Sequence, residues 1–131
     1  MSFSQGFHHV AIICSDYSRS KHFYTEILGF EVIRETHRAQ RQSYKLDLRL
    51  ANGSQLELFS FPHPPNRLTR PEACGLRHLA LAVANLDAAI QHLQAHNIPT
   101  EPIRHDELTG QRFTFFQDPD QLPLELYEIG D

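Results

Sequence analysis

The sequence lacks the features expected of a membrane, secreted or nucleic-acid-binding protein. No apolar run approaches the roughly 20 residues that a membrane helix needs, and the N-terminus has neither the basic start nor the apolar segment of a signal peptide. The two cysteines, Cys14 and Cys74, have no CxxC spacing, which favours free thiols and a cytoplasmic location. The net charge is −4 and there is no basic tail, so we expect neither nucleic acid nor a membrane as a partner.

The sequence contains one short pattern twice. His9-Val-Ala-Ile-Ile recurs as His78-Leu-Ala-Leu-Ala, and each histidine opens an apolar strand. Each is followed, at nearly the same distance, by a glutamate between two leucines, which are Glu57 and Glu125. With 131 residues the chain is too short for two conventional domains, so the repeat indicates two half-domains that share one fold.

The fold class predicted from this repeat is α+β, with two βαβββ modules in a single domain that covers residues 1–131. The first module spans about 7–61, a linker stiffened by four prolines spans 62–75, and the second module spans about 76–129. Asp16 and Asn85 are predicted to cap the two helices, and Gly29 to end the first. The predicted helices are 17–28 and about 86–96; the predicted strands are 7–14, 30–35, 44–50, 55–61, 76–83, 100–105, 112–116 and 122–128.

The alternation of strand side chains indicates what surrounds the repeated residues. Each histidine shares its face with an alanine two residues later, Ala11 or Ala80, which leaves room for a ligand. Each glutamate lies opposite its flanking leucines, on a face that also carries Phe59 or Tyr127 and therefore suggests a cavity. The alternative is a half-exposed strand whose polar face is simply in water.

Two imidazoles and two carboxylates have the composition of a divalent metal site. We therefore predict that His9, Glu57, His78 and Glu125 bind one metal ion, since buried carboxylates need a cation or a proton. Nitrogen and oxygen ligands without thiolate suit Ni²⁺, Zn²⁺, Co²⁺ or Mn²⁺. Four protein ligands in an octahedral shell leave two positions for water or substrate, which is typical of a catalytic site.

The same residues resemble the vicinal oxygen chelate superfamily. His9-Val-Ala-Ile-Ile, Phe23-Tyr24 and Leu28-Gly29-Phe30 look like its first module; His78-Leu-Ala, Asp118-Pro-Asp120 and Leu124-Glu125-Leu126 look like its second. The resemblance covers essentially the whole chain. It implies that the eight strands curve into a metal-lined cup, and that the His/Glu/His/Glu set is that of glyoxalase I, or lactoylglutathione lyase.

This resemblance also implies an activity. Glyoxalase I isomerises the hemithioacetal of methylglyoxal and glutathione through an enediolate, a step in methylglyoxal detoxification, with Ni²⁺ or Zn²⁺ the favoured metals. Carried onto this chain, Glu125 is the favoured catalytic base and Glu57 its catalytic counterpart across a small α-oxygenated substrate. Members of the superfamily often form homodimers whose sites are shared between chains, so we expect a homodimer; a site within one chain is the alternative.

Two positions depart from the glyoxalase I pattern. Ile13 stands where bacterial members have an arginine, and Phe61 where they have an asparagine, so the sequence leaves the use of glutathione open. Arg77, Arg104 and Arg112 are candidates for holding a different anion, with solvation at the surface the simpler role for each. An epimerase, an Fe²⁺ dioxygenase and a drug-binding protein without turnover remain alternatives. Glu57 argues against the dioxygenase, and the complete ligand set argues against the drug-binding protein.

Overall fold

Each half of the chain forms one four-stranded sheet with a helix against it. The computed structural model describes residues 1–130, which divide into a first unit, Met1–Pro65, and a second that begins at Asn66. The division falls inside the predicted linker, and residues 61–78 contain no helix or strand. The predicted α+β class with two βαβββ modules is confirmed.

The first unit consists of four strands and one helix. Its sheet has the order β1-β4-β3-β2, with β1 parallel to β4 and the other neighbours antiparallel. A 3₁₀ turn at Ala39–Arg41 joins β2 to β3. The elements are β1 Val10–Cys14, α1 Tyr17–His22 with a π-helical turn Phe23–Ile27, β2 Glu31–Arg38, β3 Ser43–Arg49 and β4 Gln55–Ser60.

The second unit repeats this topology. Its sheet has the order β5-β8-β7-β6, again with the first pair parallel and the others antiparallel. The elements are β5 Leu79–Val83, α2 Leu86–Ala95, β6 Arg104–His105, β7 Arg112–Gln117 and β8 Pro123–Glu128.

The core of each unit lies between its sheet and its helix. In β4, Leu56 and Leu58 are buried, and in β8 Leu124 and Leu126 are buried. Burial of a leucine side chain contributes about 1.5–3 kcal/mol, so a shift of either strand by one residue is strongly disfavoured. The residues between these leucines must therefore face the other side of the sheet.

The first helix differs from the prediction in its second half. Asp16 and Asn85 cap α1 and α2 as predicted, accepting from the backbone N–H of Arg19 and Ala88. The segment after His22, predicted as α-helix, is instead a π-helical turn. The Thr25 hydroxyl donates to the Lys21 carbonyl at 2.6 Å and so competes for the acceptor that an α-helix would use.

The strand predicted over 100–105 is reduced to β6, Arg104–His105. Pro102 has no N–H to donate to the ladder, so regular pairing with β7 begins only after it. The earlier part is still held, because Glu101 N–H donates to the Phe115 carbonyl and the Thr114 hydroxyl donates to the Glu101 carbonyl.

Cys14 is buried and its thiol donates to the Phe59 carbonyl at 3.3 Å, whereas Cys74 is exposed; within residues 1–130 neither forms a disulfide. Over residues 1–130, no helix is long and apolar enough to cross a membrane.

An ion-pair cluster ties α2 to its sheet on the helix side. The Arg112 guanidinium donates to both carboxylate oxygens of Glu128 and to Asp87, each at 2.9 Å. Glu128 also accepts from the Leu86 backbone N–H at the start of α2, at 2.8 Å. Arg112 therefore has a structural role here, not the solvation or anion binding considered from the sequence.

Because of this cluster, the free energy of unfolding should decrease at acid pH. The Arg112 hydrogen bonds, and then the Leu86 N–H, lower the pKa of Glu128 from 4.5 to about 2. Because the pKa is lowered by folding, the stabilisation is complete above pH 4.5 and is lost as the pH falls from there towards 2. We expect Glu128→Gln to lower the free energy of unfolding at neutral pH, and the difference from wild type to shrink as the pH falls through this range.

Urea unfolding at about pH 7, 4.5 and 3 measures this effect. Glu107→Gln, in the exposed β6–β7 loop, is the matched control and should follow wild type at every pH. A constant deficit of Glu128→Gln across the three pH values would contradict the assignment.

Candidate functional site

Two histidine–glutamate pairs, one in each unit, occupy equivalent positions on the sheet faces opposite the helices. His9 Nε2 lies 3.4 Å from Glu57 Oε2, and His78 Nε2 lies 3.3 Å from Glu125 Oε2. The histidine side chains are 38% and 31% exposed, and the glutamates 15% and 12%. Both pairs are thus open enough for a ligand to reach while the carboxylates are mostly buried.

Strand register explains why the pairs form. Glu57 is level with Ala11 on the parallel strand β1, and Glu125 is level with Ala80 on β5. In both units the histidine lies two residues before that alanine, on the same face, so its ring reaches the glutamate diagonally. Ala11 and Ala80 are both exposed, and their side chains are small.

The distances within the pairs suit two ligands of one cation. Atoms that each bind the same Zn²⁺-sized ion at about 2.1 Å lie about 3.0–3.4 Å apart for bond angles between 90° and tetrahedral. Neutral imidazole and carboxylate are also the donor types that such a metal accepts. The residues present therefore fit a divalent metal ion.

The predicted set of four ligands is seen as two pairs. Among residues 1–130, no group of three or more His, Cys, Asp or Glu side chains is arranged to hold a metal. One pair alone is insufficient, because metal sites of this kind have three or four protein ligands. The assignment of all four residues to one metal stays a prediction.

His8 supports the first pair in a way that the sequence did not reveal. Its Nδ1 lies 2.9 Å from Nδ1 of His9, the ring nitrogen that does not face Glu57. When His9 carries its proton on Nδ1 and donates to His8, its Nε2 is left with a free lone pair. Alternation along a strand would turn His8 away from His9, so the sequence pattern does not predict this contact.

The surroundings of the first pair are charged. Lys45 Nζ lies 3.8 Å from Glu57 Oε2 and 3.7 Å from Asp47 Oδ1, and Arg34 Nε lies 3.8 Å from Asp47 Oδ2. Asp47 is buried and is level with Glu57 on the neighbouring strand, so two carboxylates lie side by side. Sequence reasoning missed Lys45 and Asp47, although their position on the site face follows from the alternation along β3.

The surroundings of the second pair are aromatic. The His78 ring packs edge-on against Phe115, with centroids 5.2 Å apart, and Phe113 stacks with Tyr127. The Tyr127 hydroxyl donates to Asp106 at 2.9 Å and is also bonded to Thr109. These contacts anchor the rings, so the second pair is framed by a rigid apolar surface.

The two residues that depart from the glyoxalase I pattern, Ile13 and Phe61, present apolar surface in the structure. Ile13 is 56% exposed, and Phe61 stacks on Phe59 with centroids 6.0 Å apart. Of the arginines considered for anion binding, Arg77 pairs with Glu72 at 2.9 Å, and Arg104 pairs with Glu101 at 2.9 Å while lying over Phe113 and Phe115.

The fold and the repeated pairs define a class of protein. The sequence profile of the Glyoxalase/Bleomycin resistance protein/Dioxygenase superfamily matches residues 6–126, and the chain belongs to this superfamily. The family resemblance read from the motifs is thereby confirmed.

Two relatives align over nearly the whole chain. One is the uncharacterized protein YwkD of Bacillus subtilis (strain 168), 67% identical over 121 residues that cover 92% of this chain and 94% of that protein. The other is the 2-epi-5-epi-valiolone epimerase of Actinomyces sp, 31% identical over an alignment that covers 93% of this chain and 78% of the epimerase.

Solved structures show the same fold. A glyoxalase family protein from Enterococcus faecalis superimposes with a TM-score of 0.89 at 50% identity, over 97% of this chain and all of that one (100%). The trypanothione-dependent glyoxalase I of Leishmania major superimposes with a TM-score of 0.72 at 26% identity, over 95% of this chain and 87% of the enzyme.

The contact between His8 and His9 can be tested by NMR. We expect His8→Ala to reduce the fraction of His9 with its proton on Nδ1, because the acceptor for that proton is removed. Long-range ¹H–¹⁵N correlations of the imidazole rings measure the tautomer. His22→Ala, an exposed histidine of α1, is the control, and an unchanged His9 tautomer in His8→Ala would show that the contact does not set it.

Proposed function

We propose that the protein is a metal-dependent lyase or isomerase of the glyoxalase I type. It moves a proton at the carbon beside a carbonyl group of a small α-oxygenated substrate, and the hemithioacetal of methylglyoxal and a thiol is the first substrate to test. The observation that carries the proposal is the duplicated histidine–glutamate pair, with its two donor atoms 3.3–3.4 Å apart in each unit.

The metal in this proposal is held by His9, Glu57, His78 and Glu125. The donor set favours Ni²⁺ or Zn²⁺, with Co²⁺ or Mn²⁺ as alternatives. A bound divalent cation would supply the positive charge that stabilises an enediolate as the substrate carbon loses its proton. The two pairs are proposed to come from one chain or from two chains of a homodimer, of which we favour the homodimer.

Glu125 is the favoured base, and its neighbours differ from those of Glu57. Glu57 has two partners that carry or can carry positive charge, His9 at 3.4 Å and Lys45 at 3.8 Å. Within the described residues, the ionic partner of Glu125 is His78 at 3.3 Å, and the residue level with it on β7 is Phe115. By the resemblance to glyoxalase I, Glu125 is assigned as the base that removes the proton, and Glu57 acts on the other side of the substrate.

The thiol of the proposed substrate is not assumed to be glutathione. Ile13 and Phe61 present apolar surface where the glyoxalase I pattern has polar contacts. Epimerisation is the second candidate, supported by the relative that is an epimerase. Both reactions begin with the removal of a proton from carbon, and they differ in where that proton returns. A role in methylglyoxal detoxification and a cytoplasmic location stay predictions.

The proposed ligands can be tested by metal binding alone. We expect Glu57→Gln, Glu125→Gln and His78→Ala each to weaken binding of Ni²⁺ or Zn²⁺ by more than the roughly tenfold typical of losing a supporting hydrogen bond. Calorimetric titration and elemental analysis measure affinity and content. His22→Ala and Glu26→Gln remove an exposed histidine and glutamate four positions apart on the first helical segment and should bind as wild type does. Full metal content in Glu57→Gln and His78→Ala would reject the site.

The reaction can be tested with the Ni²⁺- or Zn²⁺-loaded protein. We expect turnover of a methylglyoxal hemithioacetal, and a loss of about 10²-fold or more in Glu125→Gln, the usual contribution of a positioned base. In D₂O, wild type should also exchange the substrate's carbon-bound proton, as followed by ¹H NMR. Exchange without net product would favour the epimerase. With no exchange and no turnover with either metal, the proposed isomerase is wrong, and binding without turnover becomes the better account.

A further inference from the structure

Two cations lie over one aromatic ring beside the first pair. The guanidinium carbon of Arg38 is 5.1 Å from the centroid of Phe59, and Lys45 Nζ is 6.0 Å from it. Phe59 is two residues after Glu57 on β4, and Lys45 is level with Phe59 on β3. Two positive groups therefore lie on the same sheet face as the His9–Glu57 pair.

Among residues 1–130, the Lys45 ammonium group makes ion pairs but no direct hydrogen bond. Its ion pairs with Asp47 and Glu57, at 3.7 and 3.8 Å, are longer than the 2.7–3.2 Å of a direct hydrogen bond. Its side chain is 31% exposed, so a ligand in the open space beside His9 can reach it. An ammonium group with unfilled donors at a site face is a natural partner for an anionic oxygen.

Arg38 is also incompletely satisfied. Its Nη2 donates to the Ser43 hydroxyl at 3.3 Å, while its Nε is buried and has no hydrogen-bond partner within residues 1–130. Buried donors are rarely left unpaired, which calls for an explanation such as a ligand. Arg104 also lies over aromatic rings but pairs with Glu101 at 2.9 Å, so it differs from Arg38 in having its charge matched.

The fold itself does not require these charges. In the first unit, Lys45 is level with Phe59 and Asp47 with Glu57. In the second unit, Phe113 is level with Tyr127 and Phe115 with Glu125, so phenylalanines take the places of Lys45 and Asp47. Two copies of one topology thus tolerate either charged or aromatic residues at these positions. The charged set of the first unit is better explained by what it binds.

We propose that Lys45 and Arg38 bind an anionic oxygen group of the substrate, a carboxylate or a phosphate, beside the His9–Glu57 pair. This inference rests on the proposed function, since it names the class of substrate for the same site. Asp47 opposes the anion, because its carboxylate lies between Lys45 and Arg34 and offsets part of their charge. The site therefore favours anionic substrates over neutral and cationic ones.

A series of thiols tests this selection. Methylglyoxal hemithioacetals are formed from 3-mercaptopropionate, 2-mercaptoethanol and cysteamine, which are anionic, neutral and cationic, and kcat/KM is compared for the metal-loaded protein. We expect the anionic substrate to exceed the neutral one by about fivefold or more, the range of a partly exposed charge-assisted hydrogen bond, and the cationic one to be poorest. Glutathione serves as a reference.

Four variants assign the selection to named residues. Lys45→Met should bring the anionic-to-neutral ratio close to one, Lys45→Arg should largely keep it, and Asp47→Asn should raise it, because a competing negative charge is removed. Lys21→Met is the matched control: it removes the other lysine of the chain, which pairs with Glu35 on the helix side at 2.7 Å, and should leave the ratio at its wild-type value.

A binding measurement separates this inference from the proposed function. Protein without added metal is titrated with propionate, methyl phosphate and propionamide while the amide signals of Lys45 and Phe59 are followed by ¹H–¹⁵N NMR. Saturable shifts with either anion but not with propionamide support the site, and the tighter anion identifies the group. A kcat/KM ratio near one, or one that Lys45→Met does not change, overturns the inference while the proposed function stands. If none of the hemithioacetals turns over, the proposed function fails and the titration alone tests the inference. The absence of a saturable shift with either anion then overturns the inference.

Discussion

The burial of paired leucines in β4 and β8 is the constraint on which the rest of each unit depends. Leu56 and Leu58, like Leu124 and Leu126, fill the space between sheet and helix and are at most 4% exposed. Because side chains alternate along a strand, this burial turns the intervening glutamate to the opposite face. Parallel pairing with the neighbouring strand then brings a histidine within 3.4 Å of that glutamate. The site is thus a consequence of how the core packs.

The same constraint leaves the neighbours of each pair free to differ. The side chains level with each glutamate on the neighbouring strand, and those two residues further along either strand, lie on the sheet face opposite the helix. The packing of the hydrophobic core does not dictate which residues stand there. In the first unit these positions carry Lys45, Asp47 and Phe59, and in the second Phe113, Phe115 and Tyr127. Each unit keeps the pair while its surroundings have become ionic in one copy and aromatic in the other. Such a division is what an enzyme needs if its chemistry is fixed and its substrate is selected separately.

Much of this could be predicted from the sequence, because alternation and duplication are local or periodic signals. The strands around His9, Glu57, His78 and Glu125, the helix caps at Asp16 and Asn85, and the βαβββ repeat all follow from such signals. The π-helical turn depends on one hydroxyl, that of Thr25, and the shortened β6 on the missing N–H of Pro102. The contacts of His8 and Lys45 depend on side-chain geometry across strands, which no pattern along one strand contains.

The ionic surroundings of the first pair also distinguish it from the second pair. Glu57 has an ammonium group 3.8 Å away, and that group is shared with Asp47, a second carboxylate on the neighbouring strand. At the position level with Glu125 on β7 stands an aromatic ring, Phe115, in place of a second carboxylate, while the two glutamates are similarly buried at 12% and 15% exposed. The proposed anion site therefore belongs to the first unit, where Lys45 lies beside the pair, and the proposed base to the second, where Phe115 takes the position of Asp47.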